Sequence, residues 1–256
     1  VKQVSALSEY CYDNFVKARY SHRFMSSDEQ LSLFDSSDVG ASATPQNQAL
    51  IPTSAKIPIP PGTYQTMAQM AEHCNQCHRC GLGENRTHAV VERGNLQAPI
   101  MIVGEAPGQN EDETGLPFVG KSGQLLEKIL AAVKLNTEQD VYICNVNKCR
   151  PPNNRPPTTE EMAACRPYLL EQIRMVDPKI ILLTGATALK GLTGDKRGIT
   201  KIRGTWIEWE GRLCMPIFHP AYLLRNASRE QGSPKWLMWQ DIQAVRAKLD
   251  EIRNNN

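Results

Sequence analysis

Residues 99–133 read PIMIVGEAPGQNEDETGLPFVGKSGQLLEKILAAV. The run Pro99–Val103 is short and continuously apolar, the pattern of a strand buried on both faces. A loop punctuated by Gly and Pro follows, and Ser122–Val133 then carries apolar residues at helical spacing. Strand, loop and helix in that order are the unit from which parallel sheets are built. The pattern continues downstream, with strands predicted at Val141–Asn145 (VYICN), Lys179–Thr184 (KIILLT) and Leu213–Phe218 (LCMPIF). Helices are predicted at Thr159–Val176, Ala186–Leu192 and Lys235–Ile252, the first opened by a Thr158-x-x-Glu161 capping box. Thr205–Trp209 and Leu213–Phe218, on either side of Glu210-Gly211, read as a hairpin. Together these elements predict an α/β domain on a central, mostly parallel, four-stranded sheet. In such sheets the working loops leave the carboxyl ends of the strands.

The rest of the chain frames this domain. Of 256 residues, 41% are hydrophobic, below the roughly 45–50% of an average globular protein. The composition excludes a membrane-spanning protein, a collagen and a wholly disordered chain, and no stretch is long and apolar enough to span a bilayer. No secretory leader is visible, so a cytoplasmic protein with reduced thiols is expected. Residues 1–65 dilute the hydrophobic fraction. Ser26–Pro61 is rich in Ser, Pro, Ala and Gln and lacks the large apolar residues a core needs. The expected division is a flexible arm, residues 1–65, and a folded domain, residues 66–256. Five basic and six acidic residues put the arm at −1 and leave the domain at +3 of the total +2. A nucleic-acid ligand would therefore need a local basic patch, because the whole chain supplies little field.

Three of the eight cysteines fall in Cys74-x2-Cys77-x2-Cys80, and Cys149 and Cys165 come much later. Thiolates two residues apart can chelate one metal centre from a tight turn. A ferredoxin-type run would need a further cysteine at position 84, where Glu84 stands. Four ligands are then drawn from a near pair and a distant pair, and four thiolates suit either zinc or an iron–sulfur cluster. Cys144 and Cys214 sit in apolar strands and read as ordinary buried residues.

Gly115-Leu-Pro-Phe-Val-Gly120-Lys121-Ser122 matches the phosphate-loop pattern G-x4-G-K-[ST]. Its context contradicts a nucleotide site. The preceding residues are Gln109–Thr114, with three carboxylates, where a buried strand should stand. Pro117 also removes an amide from the would-be cradle.

Read with its neighbours, Gly104-Glu105-Ala106-Pro107-Gly108…Glu111-Asp112…Gly115-Leu116-Pro117-Phe118-Val119-Gly120 resembles the first motif of family-4 uracil-DNA glycosylases. His219-Pro-Ala-Tyr-Leu-Leu-Arg225 resembles their second signature, and Asn147-Lys-Cys149-Arg-Pro-Pro-Asn-Asn-Arg-Pro156 the segment around a cluster cysteine. The resemblance runs from about Cys77 to Ile252 and implies a three-layer α/β/α domain that hydrolyses the N-glycosidic bond of uracil in single- or double-stranded DNA, the alternative being a non-catalytic uracil-DNA-binding module of the same fold. It implies that Phe118 stacks on uracil, that Asn145 reads its Watson–Crick edge, and that Gly104 and the amides near Glu105 and Ala106 hold the base. His219 would stabilise charge developing on uracil O2, Glu105 would position the attacking water, and Glu111 is the second carboxylate candidate. It further implies a [4Fe–4S] cluster on Cys77, Cys80, Cys149 and Cys165, with zinc the alternative and Cys74 an extra thiol. The Tyr222-Leu223-Leu224-Arg225 loop would wedge into the minor groove. Lys121, Arg150, Arg155 and Arg225 are candidate phosphate contacts. No Arg-rich, His-containing loop of the covalently trapping relatives is present, so ordinary turnover by a monomer, associated with the nucleoid, is expected.

Gln30-Leu31-Ser32-Leu33-Phe34 in the arm resembles the peptide by which bacterial repair proteins dock on the sliding clamp. An arm that orders on binding could bury Leu31, Leu33 and Phe34 in an apolar pocket.

Overall fold

The central strands are nearly continuous apolar runs, the pattern of strands covered on both faces of a sheet. In the computed structural model, which describes residues 54–255, six strands form one sheet: β1 (Arg93–Gly94), β2 (Ile100–Gly104), β3 (Val141–Asn145), β4 (Ile180–Thr184), β5 (Ile207–Trp209) and β6 (Arg212–Ile217). Their order is β1-β3-β2-β4-β6-β5. The four inner strands are mutually parallel, and β1 and β5 add antiparallel edges. The four expected strands are therefore the parallel core of a six-stranded sheet. Two-residue β1 escapes sequence reading because its pairing with Ile143 and Tyr142 makes it a strand, with no apolar pattern of its own.

Alternation along each strand divides the core in two. Met101, Val103, Tyr142, Cys144, Ile181 and Leu183 face one layer, covered by α1 (Met67–Asn75), α4 (Thr159–Val176) and α5 (Ala186–Thr193). Ile100, Ile102, Val141, Ile143, Ile180 and Leu182 face the other, covered by α3 (Lys121–Ala132) and α8 (Pro234–Asn254). Short helices α2 (Gln109–Thr114), α6 (Ile199–Ile202) and α7 (Pro220–Arg225) complete the set. Leu126 and Leu130 of α3 are wholly buried, each contributing about 1.5–3 kcal/mol. The capping box forms as expected: Thr158 Oγ1 accepts the Glu161 amide at 3.2 Å and Glu161 Oε2 accepts the Thr158 amide at 2.7 Å. At the β5–β6 turn, Glu210 and Gly211 both have positive φ, 47° and 74°, the left-handed pair that a two-residue hairpin requires.

The packed body begins before position 66. Ile59 and Tyr64 belong to the core, and the Gly62 amide donates to Glu171 at 2.9 Å. The proposed clamp peptide, Gln30 to Phe34, lies outside the described residues. Among the described residues, no helix is long and apolar enough to cross a membrane.

Candidate active site

β2, β3 and β6 end on one side of the sheet, and a cleft of about 660 Å³ opens there, lined by Glu105, Phe118, Asn145, His219, Tyr222 and Arg225 among others. Residues drawn from 105 to 225 thus meet because parallel strands deliver their carboxyl ends together.

The floor of the cleft is built by close approach. A Cβ on Gly104 would lie 2.1 Å from Asn145 Oδ1 and 2.6 Å from the Phe118 ring, so only glycine lets the amide and the ring converge. Asn145 is 2% exposed, and its side-chain amide makes no hydrogen bond among the described residues. The Phe118 ring borders the cleft from a backbone with φ 57°, a left-handed conformation that a bulky residue adopts only when its surroundings enforce it. Arg93 does so, donating to the Pro117 carbonyl at 2.8 Å and to the Phe118 carbonyl at 3.3 Å while paired to Glu127. Gly123 admits the Phe118 carbonyl, which any side chain there would strike.

His219 caps α7: the Ala221 amide donates to its Nδ1 at 3.1 Å. The proton of the neutral ring therefore sits on Nε2. Burial, with Arg225 adding to it and Glu111 opposing, lowers the His219 pKa to about 4. At neutral pH it is a neutral hydrogen-bond donor whose ring lies 5.9 Å, centroid to centroid, from that of Phe118. The Glu105 carboxylate lines the same cleft and makes no hydrogen bond within the described protein.

Other candidates are placed differently from expectation. Glu111 lines the cleft, but Oε1 accepts the Val119 and Gly120 amides at 3.0 and 2.8 Å and Oε2 accepts that of Gly108 at 3.1 Å. It staples the loop that carries Phe118, and its oxygens are engaged by backbone rather than offered to a substrate. The same staple fills the cradle that a phosphate loop would present, and α2, not a strand, precedes it. Leu223 was expected to touch DNA but is 1% exposed and sits in the core, because α7 turns it toward the sheet. Its neighbour Leu224 is 46% exposed. Arg155 lines the cleft and pairs with Glu161 through two hydrogen bonds, at 2.7 and 2.9 Å. Arg150 donates to Asn154 at 2.7 Å, whereas Lys121 is exposed at the start of α3 and Arg225 is exposed at the cleft rim. Tyr222 packs its ring on Phe218 at 5.1 Å.

The second constellation also assembles. Cys74 ends α1, Cys77 and Cys80 follow it, Cys149 follows β3 and Cys165 lies on α4, and all five line one small cavity. Burial pushes the Cys149 thiol up to about 11, opposed by Arg86, and the Cys165 thiol up to about 12, opposed by Lys148. Such thiols become thiolates only with a metal to hold them. The surroundings are cationic: Arg79 and Lys148 line the cavity, and Arg86 donates to Cys149 Sγ at 3.7 Å. Tyr168 Oη is buried beside the cavity without a hydrogen-bond partner among the described residues. Among those residues, no three His, Cys, Asp or Glu converge on one point as a single ion demands. Sequence reasoning does not find Lys148, Arg86 or Tyr168; the only signal is that Lys148 adjoins Cys149.

Residues 91–243 match the family model of the uracil DNA glycosylase superfamily. The chain is 51% identical over 168 residues to the type-4 uracil-DNA glycosylase of Thermotoga maritima, covering 65% of this chain and 87% of that protein. It is 40% identical over 165 residues to the type-4 uracil-DNA glycosylase of Saccharolobus solfataricus, covering 61% and 76%. With the type-5 uracil-DNA glycosylase of Pyrobaculum aerophilum it shares 27% over 205 residues, 68% of this chain and 90% of that one.

Proposed function

Because the chain belongs to the uracil DNA glycosylase superfamily, we infer that it hydrolyses the N-glycosidic bond of uracil in DNA and leaves an abasic site. It is a hydrolase of DNA repair. The observation that carries its residue-level mechanism is the meeting, in one cleft, of a neutral Nε2–H donor on His219, the unengaged Asn145 amide and the Phe118 ring.

A base inside a duplex is out of reach, so uracil enters the cleft flipped from the stack. Phe118 offers the aromatic face, and Asn145 can donate to O4 and accept from N3–H. As the bond from C1′ to N1 breaks, its electron pair moves onto the base and negative charge grows on O2. His219 Nε2–H, with the amides near Glu105 and Ala106, meets that charge. Being neutral, His219 does so without carrying a cation into a dry pocket. The sugar turns oxocarbenium-like, and the free Glu105 carboxylate offsets its charge and orients the water that attacks C1′. Glu111 acts by holding the loop around Phe118. Lys121 and Arg225 meet the DNA backbone and Leu224 fills the gap left by the base.

The chemistry of the cysteine cavity, five thiols beside two cations, suits an anionic metal–thiolate centre. Arg79 and Lys148 line it with the five cysteines, and no carboxylate is among its lining residues. Cys77, Cys80, Cys149 and Cys165 would hold a [4Fe–4S] cluster, with Cys74 beside them. Bound there, the cluster would tie α1, the exit of β3 and α4 together and take no electron in the hydrolysis.

The remaining parts of the proposal are a monomer working at the nucleoid, on single- or double-stranded DNA, with Gln30, Leu31, Leu33 and Phe34 docking on the sliding clamp. Clamp binding that survives Leu33→Ala plus Phe34→Ala would remove that partner. The catalytic test incubates the protein with uracil-containing oligonucleotides and cleaves abasic sites with alkali. Strand breaks are expected, with a loss of roughly 10²–10³-fold for His219→Ala and a large loss for Asn145→Ala. Unchanged rates in both variants would refute these roles.

A further inference from the structure

Lys148 lines the cysteine cavity and is also bonded to the backbone of Asn145 in the base pocket. Its side chain is 1% exposed, and Nζ donates to the Asn145 carbonyl at 2.5 Å and to Gln172 Oε1 at 2.5 Å. Its own amide donates to Cys165 Sγ at 3.3 Å, and the side chain lines the cysteine cavity. Among the described residues it makes no ion pair. A buried ammonium without a counter-charge is strongly disfavoured, so this one needs an anion close by. Cys74 and Cys165 lie within its electrostatic reach and would supply such an anion once a metal centre makes thiolates of the cavity cysteines.

An ammonium has three donors, and here two hold neutral oxygens. One of those oxygens belongs to the residue that reads uracil. The other, on Gln172, belongs to a buried network in which Gln172 Nε2 donates to the Val91 carbonyl at 2.9 Å and to Tyr142 Oη at 2.7 Å. The exit of β3 is therefore fastened to α4, the helix that carries Cys165, by Lys148 Nζ together with the Lys148 amide and with Asn147 Nδ2, which donates to the Glu161 carbonyl at 3.0 Å.

We propose that Lys148 is a positioning residue that couples the cysteine site to the base pocket, its ammonium balancing the anionic metal centre while fixing the backbone of Asn145. The proposal rests on Asn145 reading uracil. It predicts that charge at the metal centre and geometry at the base pocket change together when this one side chain is altered.

The test uses the full chain as purified with its metal, comparing wild type, Lys148→Met and Lys148→Arg for iron content, visible spectrum, one-electron reduction potential and the kcat and KM of uracil release. Loss of a nearby positive charge makes reduction harder, so Lys148→Met is expected to lower the reduction equilibrium about tenfold, or about 59 mV. It should also lower kcat about tenfold with little change in KM, since the base pocket and not the DNA surface is disturbed. Lys148→Arg keeps the charge, so it should hold the wild-type potential yet lose kcat, its rigid fork being unable to meet both oxygens. A Met variant with iron bound and a wild-type potential, or an Arg variant with wild-type kcat, overturns the proposal. The Arg variant remains decisive even where the Met variant does not fold. A wrong uracil assignment leaves a different trace, because then wild type releases no uracil or Asn145→Ala matches it.

Discussion

At the scale of single residues, the cleft depends on two positions constrained by their neighbours, His219 and Gly104. His219 is held neutral because burial and Arg225 disfavour its charged form, and its Nδ1 lone pair is engaged by the Ala221 amide. Protonation would put two donors face to face at that contact and release the ring. With the pKa depressed from the ordinary 6.5 to about 4, the working neutral form persists well below neutrality. Single-turnover uracil release should therefore stay level as pH falls through 6.5 and drop only as it approaches 4; an acid limb near 6.5 would contradict this placement. The same depression makes folding sensitive to acid. The unfolded chain takes up the proton first, so this group's contribution to stability is complete above about 6.5 and is lost as pH falls toward 4. Gly104 is the second such residue. In Gly104→Ala the new methyl group would meet Asn145 Oδ1 and the Phe118 ring, both of which must move. Displacement of reacting groups by about 1 Å costs on the order of 10²-fold in rate. Uracil release should fall by that amount with little change in melting temperature, and a fully active variant would show that Asn145 and Phe118 do not form the base pocket.

At the scale of elements, α7 presents adjacent leucines in opposite directions. Leu223 faces the core and Leu224 faces solvent beside the cleft. Leu223→Ala should destabilise the fold by about 2–5 kcal/mol, as buried truncations do, seen as a lower denaturation midpoint. Leu224→Ala should leave stability within about 0.5 kcal/mol. It should slow release from duplex DNA and spare single-stranded DNA, where no gap in a stack needs filling. Equal losses on both substrates would remove the wedge role. These opposite orientations mark where the sequence stops being readable. The parallel strands and long helices were legible because apolar periodicity is local: Thr159–Val176 is predicted and found at the same bounds. The polar α2 has no such stripe and is held by tertiary bonds instead, from Glu111 to its own loop and from Asp112 to the Thr87 amide at 3.0 Å. Likewise Glu105, Phe118, Asn145 and His219 share the cleft that strand ends imply, whereas the engagement of Glu111 by three amides and of Arg155 by Glu161 depends on side-chain direction, which no residue spacing encodes.

At the scale of the whole molecule, the cysteines join parts of the chain that the sheet alone would leave loosely related. Cys77 and Cys80 follow α1, Cys149 leaves β3 a few residues beyond Asn145, and Cys165 is anchored in α4. Around them Arg79 holds the Ala55, Ile57 and Ala164 carbonyls, and Arg86 holds the Cys77 carbonyl. Buried Arg79 and half-buried Arg86 thus place positive charge beside the cysteines. Without the proposed metal centre they would face neutral thiols, and the segments they fasten should loosen. The parallel sheet should persist, because its central strands and most of the residues packed on them lie away from the cavity. Oxidative removal of the metal with a chelator is accordingly expected to lower the melting temperature and to speed amide exchange in residues 76–90 and 146–156. Ile102, Ile143 and Leu182, at the centre of the sheet, should stay protected. Replacing Cys149 or Cys165 by Ser should reproduce this pattern, and Cys74→Ser should retain iron if Cys74 is only a neighbour. Uniform loss of protection across the sheet would instead make the metal a condition of folding, and unchanged exchange near Asn145 would show that the cysteine site does not support the base pocket.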